Sequence, residues 1–85
     1  MHISETWSIS AERVRYFFSK QGGDACQIEN DIFSYGLCKI LITPLPPRQV
    51  GILCFPQTMV EFIGPEPDIT YIHRRFVLQF ISAGG

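Results

Sequence analysis

The side chains best suited to chemistry lie together near the C-terminal end of the chain, at His73, Arg74 and Arg75. A histidine can act as a base or a metal ligand at neutral pH, and arginines can hold a carboxylate or a phosphate. One hypothesis is therefore a small enzyme or a ligand site at these three residues. The competing interpretation makes His73 a core histidine bonded to a backbone carbonyl and the arginines a solvated face, or partners of Glu66 or Asp68. Consecutive helical residues point about 100° apart, so two adjacent arginines are poorly placed to grip one anion, and the second interpretation is favoured.

The three cysteines could supply a different chemistry. Cys26, Cys38 and Cys54, together with a histidine, have the composition of a Cys3His zinc site, but they lack the close Cys-x2-Cys pair that such sites normally contain. An odd count without close spacing does not indicate a disulfide framework, and the first residues show no signal-peptide pattern. We therefore expect no metal or cofactor, a cytoplasmic location, and cysteines that serve as small buried residues.

Composition and charge restrict the class of protein. The 85 residues carry a formal net charge of -1, and 46% of them are hydrophobic. These values predict a single folded domain over residues 1–85, with no field that would attract nucleic acid. No apolar run approaches the roughly 18 residues of a membrane span, so no membrane insertion is expected.

A first helix is predicted from about Ala11 to Lys20. The hydroxyl of Ser10 is suited to cap its N-terminus, and Gly22-Gly23 is expected to end it. Helical spacing places four residues on the face that should pack inward: Val14, Phe17, Phe18 and Gln21.

A second helix is predicted over residues 69–83, with Asp68 as its N-cap. A strand is the competing interpretation, because apolar residues also alternate here, but the length of the segment and its Pro-Asp start favour the helix. His73 falls within the apolar stripe of this helix, which consists of Ile69, Ile72, Phe76, Val77, Phe80 and Ala83.

Strands are predicted between the two helices. Their composition is β-branched and aromatic, and they cover residues 25–29, 32–43, 49–55 and 58–63. Whether residues 49–63 form two strands or one strand bent at Pro56 is left open. The Pro-Leu-Pro-Pro segment at 44–47 is expected to break the ladder as a stiff connector, with a polyproline docking segment as the alternative.

One of these strands has an unusual pattern. Residues 32–43 place apolar side chains on both faces, and only Lys39 and Arg48 are charged between residues 32 and 60. Such a strand belongs near the centre of a sheet, with its second face covered by the protein itself or by a subunit contact.

The predicted order is α-β-β-β(-β)-α, and we predict an α+β fold with an antiparallel meander and both helices packed on one face. On the second helix, Tyr71, Leu78 and Ile81 fall outside the apolar stripe and are expected to form an exposed interface. The first hypothesis for function is therefore a non-enzymatic protein-interaction or regulatory module that binds another protein or itself, as a homodimer.

A second functional hypothesis comes from topology. The order α-β-β-β-α resembles that of double-stranded-RNA-binding domains, and this resemblance implies nucleic-acid binding. Such domains present lysines at the start of the last helix to grip phosphates, whereas this position here reads Asp68-Ile69-Thr70-Tyr71. The acidic start makes nucleic-acid binding the less favoured hypothesis.

Overall fold

The structure is a computed structural model that describes residues 1–21 and 25–84. It contains a five-stranded antiparallel sheet with the order β1-β5-β4-β3-β2. The strands are β1 (His2–Trp7), β2 (Cys26–Glu29), β3 (Ile32–Tyr35), β4 (Cys38–Val50) and β5 (Leu53–Ile63). The helices are α1 (Ala11–Tyr16), which continues as a π-helical segment over Phe17–Gln21, and α2 (Glu66–Gly84).

The predicted fold class is confirmed: β2 to β5 form an antiparallel meander, and the fold is α+β. The strand β1 was not predicted. It lies at the edge of the sheet and pairs antiparallel with β5, from His2 opposite Ile63 to Trp7 opposite Thr58. Only alternate residues of β1 are partly buried, as suits an edge strand, and an acidic residue, Glu5, is among them.

The prediction of one strand over residues 32–43 is wrong, because the chain reverses within it. Gly36 and Leu37 form a tight turn between β3 and β4, and Tyr35 pairs with Cys38 across it. Gly36 has a φ of +58°, which this turn needs and which L residues adopt only at a cost. A single glycine within an apolar run was too weak a signal to locate the turn from the sequence.

The predicted break at residues 44–47 is also wrong. These residues belong to β4, which continues to Val50, and the register shifts between Leu45 and Arg48 as in a β-bulge. The predicted strand over residues 49–55 instead contains the turn at Gly51-Ile52, and β5 runs unbroken through Pro56. Prolines are tolerated here because a strand with an open edge does not need every N–H for pairing.

Both helices pack on one face of the sheet, as predicted. Phe76 of α2 lies at the centre of an aromatic cluster, stacked on Phe18 with ring centroids 5.4 Å apart and edge-on to Phe62 of β5 at 5.9 Å. Phe18 also contacts Phe33 of β3. Aromatic pairs of this kind add about 0.5–1.5 kcal/mol each beyond the area they bury, so this cluster ties both helices to the sheet.

The predicted faces of the two helices are confirmed where their side chains are described. Ser10 caps α1 by accepting from the N–H of Arg13 at 3.3 Å. The apolar residues predicted to face inward are buried or partly buried: Val14, Phe17, Phe18, Ile69, Ile72, Phe76, Val77 and Phe80. The helix stop at Gly22-Gly23 and the side chains of Gln21 and Ala83 lie outside the described residues.

The prediction that Asp68 is the N-cap of the second helix is wrong. The helix begins two residues earlier, at Glu66, and the carboxylate of Asp68 instead accepts from the N–H of Leu37 at 2.9 Å. This side chain therefore fastens the β3–β4 turn to the first turn of α2.

Candidate interaction surface

One face of the sheet is not covered by the helices. Along β5, Val60 and Phe62 are fully buried beneath the helices, so the alternating residues Met59, Glu61 and Ile63 point to the opposite side. Residues directly opposite each other in neighbouring strands lie on the same face of the sheet. The strand pairing therefore identifies which residues of the other strands lie on the same side as Met59, Glu61 and Ile63. We call this surface the open face. Its apolar and charged residues in β3, β4 and β5 are Ile32, Lys39, Leu41, Leu45, Arg48, Val50, Leu53, Phe55, Met59, Glu61 and Ile63, and its uncharged polar residues are Ser4, Thr6, Ser34, Thr43 and Gln57.

The open face continues onto a two-stranded arm. Pairing of β3 with β4 ends at Leu41, and pairing of β1 with β5 ends at Thr58, so beyond these points β4 and β5 pair only with each other. We call residues 44–57 the arm. Each strand of the arm is roughly 23 Å long, at about 3.3 Å per residue. The arm contributes to the longest dimension of the molecule, which is 42 Å, whereas the other two dimensions are 26 and 24 Å.

The two sides of the arm differ in chemistry. Val50 pairs with Leu53, and Phe55 lies two residues further along β5, so all three fall on the open-face side. The opposite side carries Gln49 and Cys54, which pair with each other. The three apolar side chains are 40–56% exposed, so the structure places a row of large apolar residues in solvent.

The turn at the end of the arm is also apolar. Gly51 has a φ of +63°, and the side chain of the next residue, Ile52, is fully exposed. Single exposed apolar residues are common, but a contiguous apolar surface of this extent is typical of an interaction site.

The edges of the arm are poor templates for strand pairing. Pro44, Pro46 and Pro47 lie in β4, and Pro56 lies in β5 opposite the bulge. A proline has no N–H to donate, so each one interrupts the row of hydrogen bonds that an added strand would need. The arm is therefore suited to contact through its side chains instead of through its backbone.

The charges on the open face are few and of both signs. Lys39 and Arg48 are exposed, and Glu61 lies 2.9 Å from the Nε2 atom of His2. The face therefore combines an apolar strip with a small number of isolated charges.

The residues predicted as an interface on α2 are all exposed. Tyr71, Leu78 and Ile81 lie on one side of the helix with side chains 48%, 56% and 60% exposed. Arg74 is exposed between them at helical spacing, and Tyr71 stacks on Tyr35 of β3 with ring centroids 5.5 Å apart. We call Tyr71, Arg74, Leu78 and Ile81 the helix patch.

The arginines of α2 point in different directions. Arg75 donates from Nη1 to the hydroxyl of Tyr71 at 2.9 Å. Arg74 lines a shallow surface depression of about 410 Å³ together with Tyr71, Thr70, Pro67 and Glu66. Because a carboxylate shares this depression, it is not an electropositive pocket for an anion.

His73 has a carboxylate partner and not the predicted backbone carbonyl. Its Nε2 lies 2.9 Å from Oε1 of Glu5, and the ring stands edge-on to Phe62 at 5.3 Å. The same Glu5 oxygen accepts from the indole N–H of Trp7 at 3.2 Å. The bond between His73 and Glu5 fastens α2 to the edge strand β1.

The cysteines lie in different environments. Cys26 and Cys54 are exposed, whereas Cys38 is buried, and none of the three is in a disulfide. Burial raises the pKa of the Cys38 thiol above its ordinary value, and the charge of Asp68 raises it further, against a backbone hydrogen bond from Ile63 that lowers it. Over residues 1–21 and 25–84, no three potential metal ligands lie close together.

No protein family matches this chain, and no characterised protein shows significant sequence similarity to it. Within the described part of the chain, neither helix has the length and apolar character needed to cross a membrane. The interpretation of the open face and the arm therefore depends on their geometry and chemistry. Their sequence signal was the segment 32–43, which has apolar residues on both faces, within a run from residue 32 to 60 that carries only two charges.

Proposed function

We propose that this chain is a non-enzymatic protein-interaction module that binds a protein partner through the open face and the arm. The observation that carries the proposal is the largely apolar strip from Leu41 and Met59 in the sheet to Val50, Leu53 and Phe55 in the arm, which Thr43 and Gln57 interrupt. Contact with a partner would remove this strip from water, at roughly 25 cal/mol per Å² of apolar surface.

The polar contacts of the described residues support a binding role over a catalytic one. The side-chain contacts His73–Glu5, His2–Glu61 and Arg15–Asp31 each join two different parts of the fold. Such pairs are typical of structural contacts between elements, and no nucleophile is paired with a base in them. The unpaired state of the three cysteines is in keeping with a cytoplasmic location, which is part of the proposal.

Nucleic-acid binding has less support. The first turn of α2, where the resemblance to RNA-binding domains would require lysines, carries Glu66 and Asp68. The open face has two exposed cations, Lys39 and Arg48, and the net charge of the chain is -1. A surface that binds phosphates needs a larger excess of positive charge.

Two variants of the arm test the proposal. Phe55→Glu places a charge on the apolar side, and Gln49→Glu places the same charge on the other side as a matched control. Tagged protein is incubated in extract of the source cells, cross-linked and recovered, and circular dichroism verifies the fold of each variant. We expect a specific cross-linked partner with the unmodified chain and with Gln49→Glu, and its loss with Phe55→Glu. Recovery of the same proteins with all three chains would contradict the proposal.

A further inference from the structure

We propose that the partner at the open face is a second copy of this chain, packed sheet against sheet about a two-fold axis. This inference rests on the proposed function, because it names the occupant of the same surface. In such a dimer the arm of each copy lies over the sheet of the other, and the apolar strips of the two copies cover each other. The observations that favour a second copy are the area of the face, its charges and the chemistry of its edges.

The area of the open face matches what a stable dimer buries. With about 3.3 Å per residue along the strands and about 4.8 Å between strands, the five-stranded part and the arm together present roughly 600 Å². A specific, stable interface buries about 600–1,000 Å² on each partner. The face is therefore large enough to support a specific dimer without a contribution from the helices.

The charges of the open face suit contact with itself. A two-fold axis brings a surface against its own copy, so a face with one sign of charge would repel itself. The open face carries Lys39 and Arg48 together with Glu61, so opposite charges can meet across the axis. The helix patch carries Arg74 among its apolar residues, so a two-fold contact there would bring like charges together.

The edges favour face-to-face packing over a continuous sheet across the dimer. Pro44, Pro46 and Pro47 remove backbone donors from the arm segment of β4, and Pro56 removes one from β5. Pairing of two arms edge to edge would leave the acceptors opposite these positions without hydrogen bonds. Packing through side chains has no such cost.

The experiment is sedimentation velocity of the purified chain over a range of concentrations, with four variants. Phe55→Glu and Leu53→Lys change the open face. Gln49→Glu changes the opposite side of the arm, and Leu78→Glu changes the helix patch. We expect a dimer for the unmodified chain, for Gln49→Glu and for Leu78→Glu. For Phe55→Glu and Leu53→Lys we expect the dimer dissociation constant to rise tenfold or more. Substitutions of residues at the centre of an interface typically weaken binding by about this factor.

The variants are designed so that loss of the dimer is not confused with loss of the fold. Leu53 lies at the far end of the arm and is 56% exposed, so a lysine there leaves the buried core intact. Far-ultraviolet circular dichroism and the thermal midpoint of each variant at low concentration verify this.

Three results would overturn the inference. A chain that sediments as a monomer at every concentration has no second copy at the open face, and the inference is then wrong. The proposed function would still stand, with a different partner, if Phe55→Glu abolished a cross-link to another protein. A dimer that survives Phe55→Glu but not Leu78→Glu would assign self-association to the helix patch. A monomer without any cross-linked partner would remove both the inference and the proposed function.

Discussion

At the residue scale, the contact between Gly36 and Asp68 joins a sharp turn to a helix. The backbone of Gly36 is in the left-handed region, and a Cβ atom added there would lie 2.8 Å from Oδ2 of Asp68. That carboxylate is held in place by the N–H of Leu37. Gly51 has nearly the same φ at the end of the arm, with no atom within 4 Å of an added Cβ.

These two glycines provide a matched test. The left-handed conformation costs an L residue about 1–2 kcal/mol, so we expect Gly36→Ala and Gly51→Ala each to lower the free energy of unfolding by this amount. Gly36→Ala should lower it further, because the added methyl group displaces the Asp68 carboxylate from Leu37. Urea denaturation measures both values. Equal losses in the two variants would mean that Asp68 moves aside without cost.

The buried thiol of Cys38 predicts a dependence of stability on pH. Burial favours the neutral thiol, so the folded protein keeps this proton at a higher pH than the unfolded chain does. This contribution to stability is complete below the ordinary thiol pKa of about 8.5 and is lost as the pH rises through the raised pKa of the folded state. We expect the free energy of unfolding to fall above about pH 8.5.

A Cys38→Ala variant is the control, because other groups also titrate in this range. The decline should be shallower in the variant, whatever its stability at neutral pH. A thiol reagent should label Cys26 and Cys54 promptly and Cys38 only on unfolding, since Cys38 has no exposed surface. The same slope against pH in both proteins would show that Cys38 does not contribute.

At the scale of elements, the helices were more predictable from the sequence than the strands. A cap at Ser10 and apolar residues at helical spacing are local signals, and they located both helices. The turns at Gly36-Leu37 and Gly51-Ile52 lie within apolar runs and lack the Asn-Gly or Asp-Gly pairs that mark hairpins. The strand β1 lacked a clear alternation because Glu5 points toward the helices, where His73 and Trp7 satisfy its carboxylate.

The prolines in the arm segment of β4 are expected to slow aggregation of the protein. Replacing Pro44, Pro46 and Pro47 together with threonine restores three backbone donors on an arm strand that pairs with β5 alone. We expect this variant to form thioflavin-positive aggregates faster than the unmodified chain. Gln49→Thr is the control, because it raises strand propensity without adding a donor. Equal aggregation rates for all three proteins would show that the prolines do not protect the edge.

At the scale of the whole molecule, the shape departs from that of a compact domain. The radius of gyration is 12.8 Å, whereas about 12 Å is expected for 85 residues. The arm explains the difference, since it extends beyond the helices and the shorter strands. The sequence predicted that a strand with apolar residues on both faces would need a cover on its second face. It could not locate the open face, because the register of β4 against β5 depends on a bulge and two turns without strong local signals.

The position of β1 constrains the order in which the sheet can be completed. Each of the other strand pairs joins consecutive strands, whereas β1 pairs with β5, and His2 lies opposite Ile63, which is 61 residues further along the chain (63 minus 2). Closing such a long loop costs more chain entropy than closing a hairpin. During synthesis on the ribosome, β1 is the first of the five strands to leave the exit tunnel, but it has no strand to pair with until β5 has emerged. The strand made first is therefore the last of the five to be incorporated into the sheet.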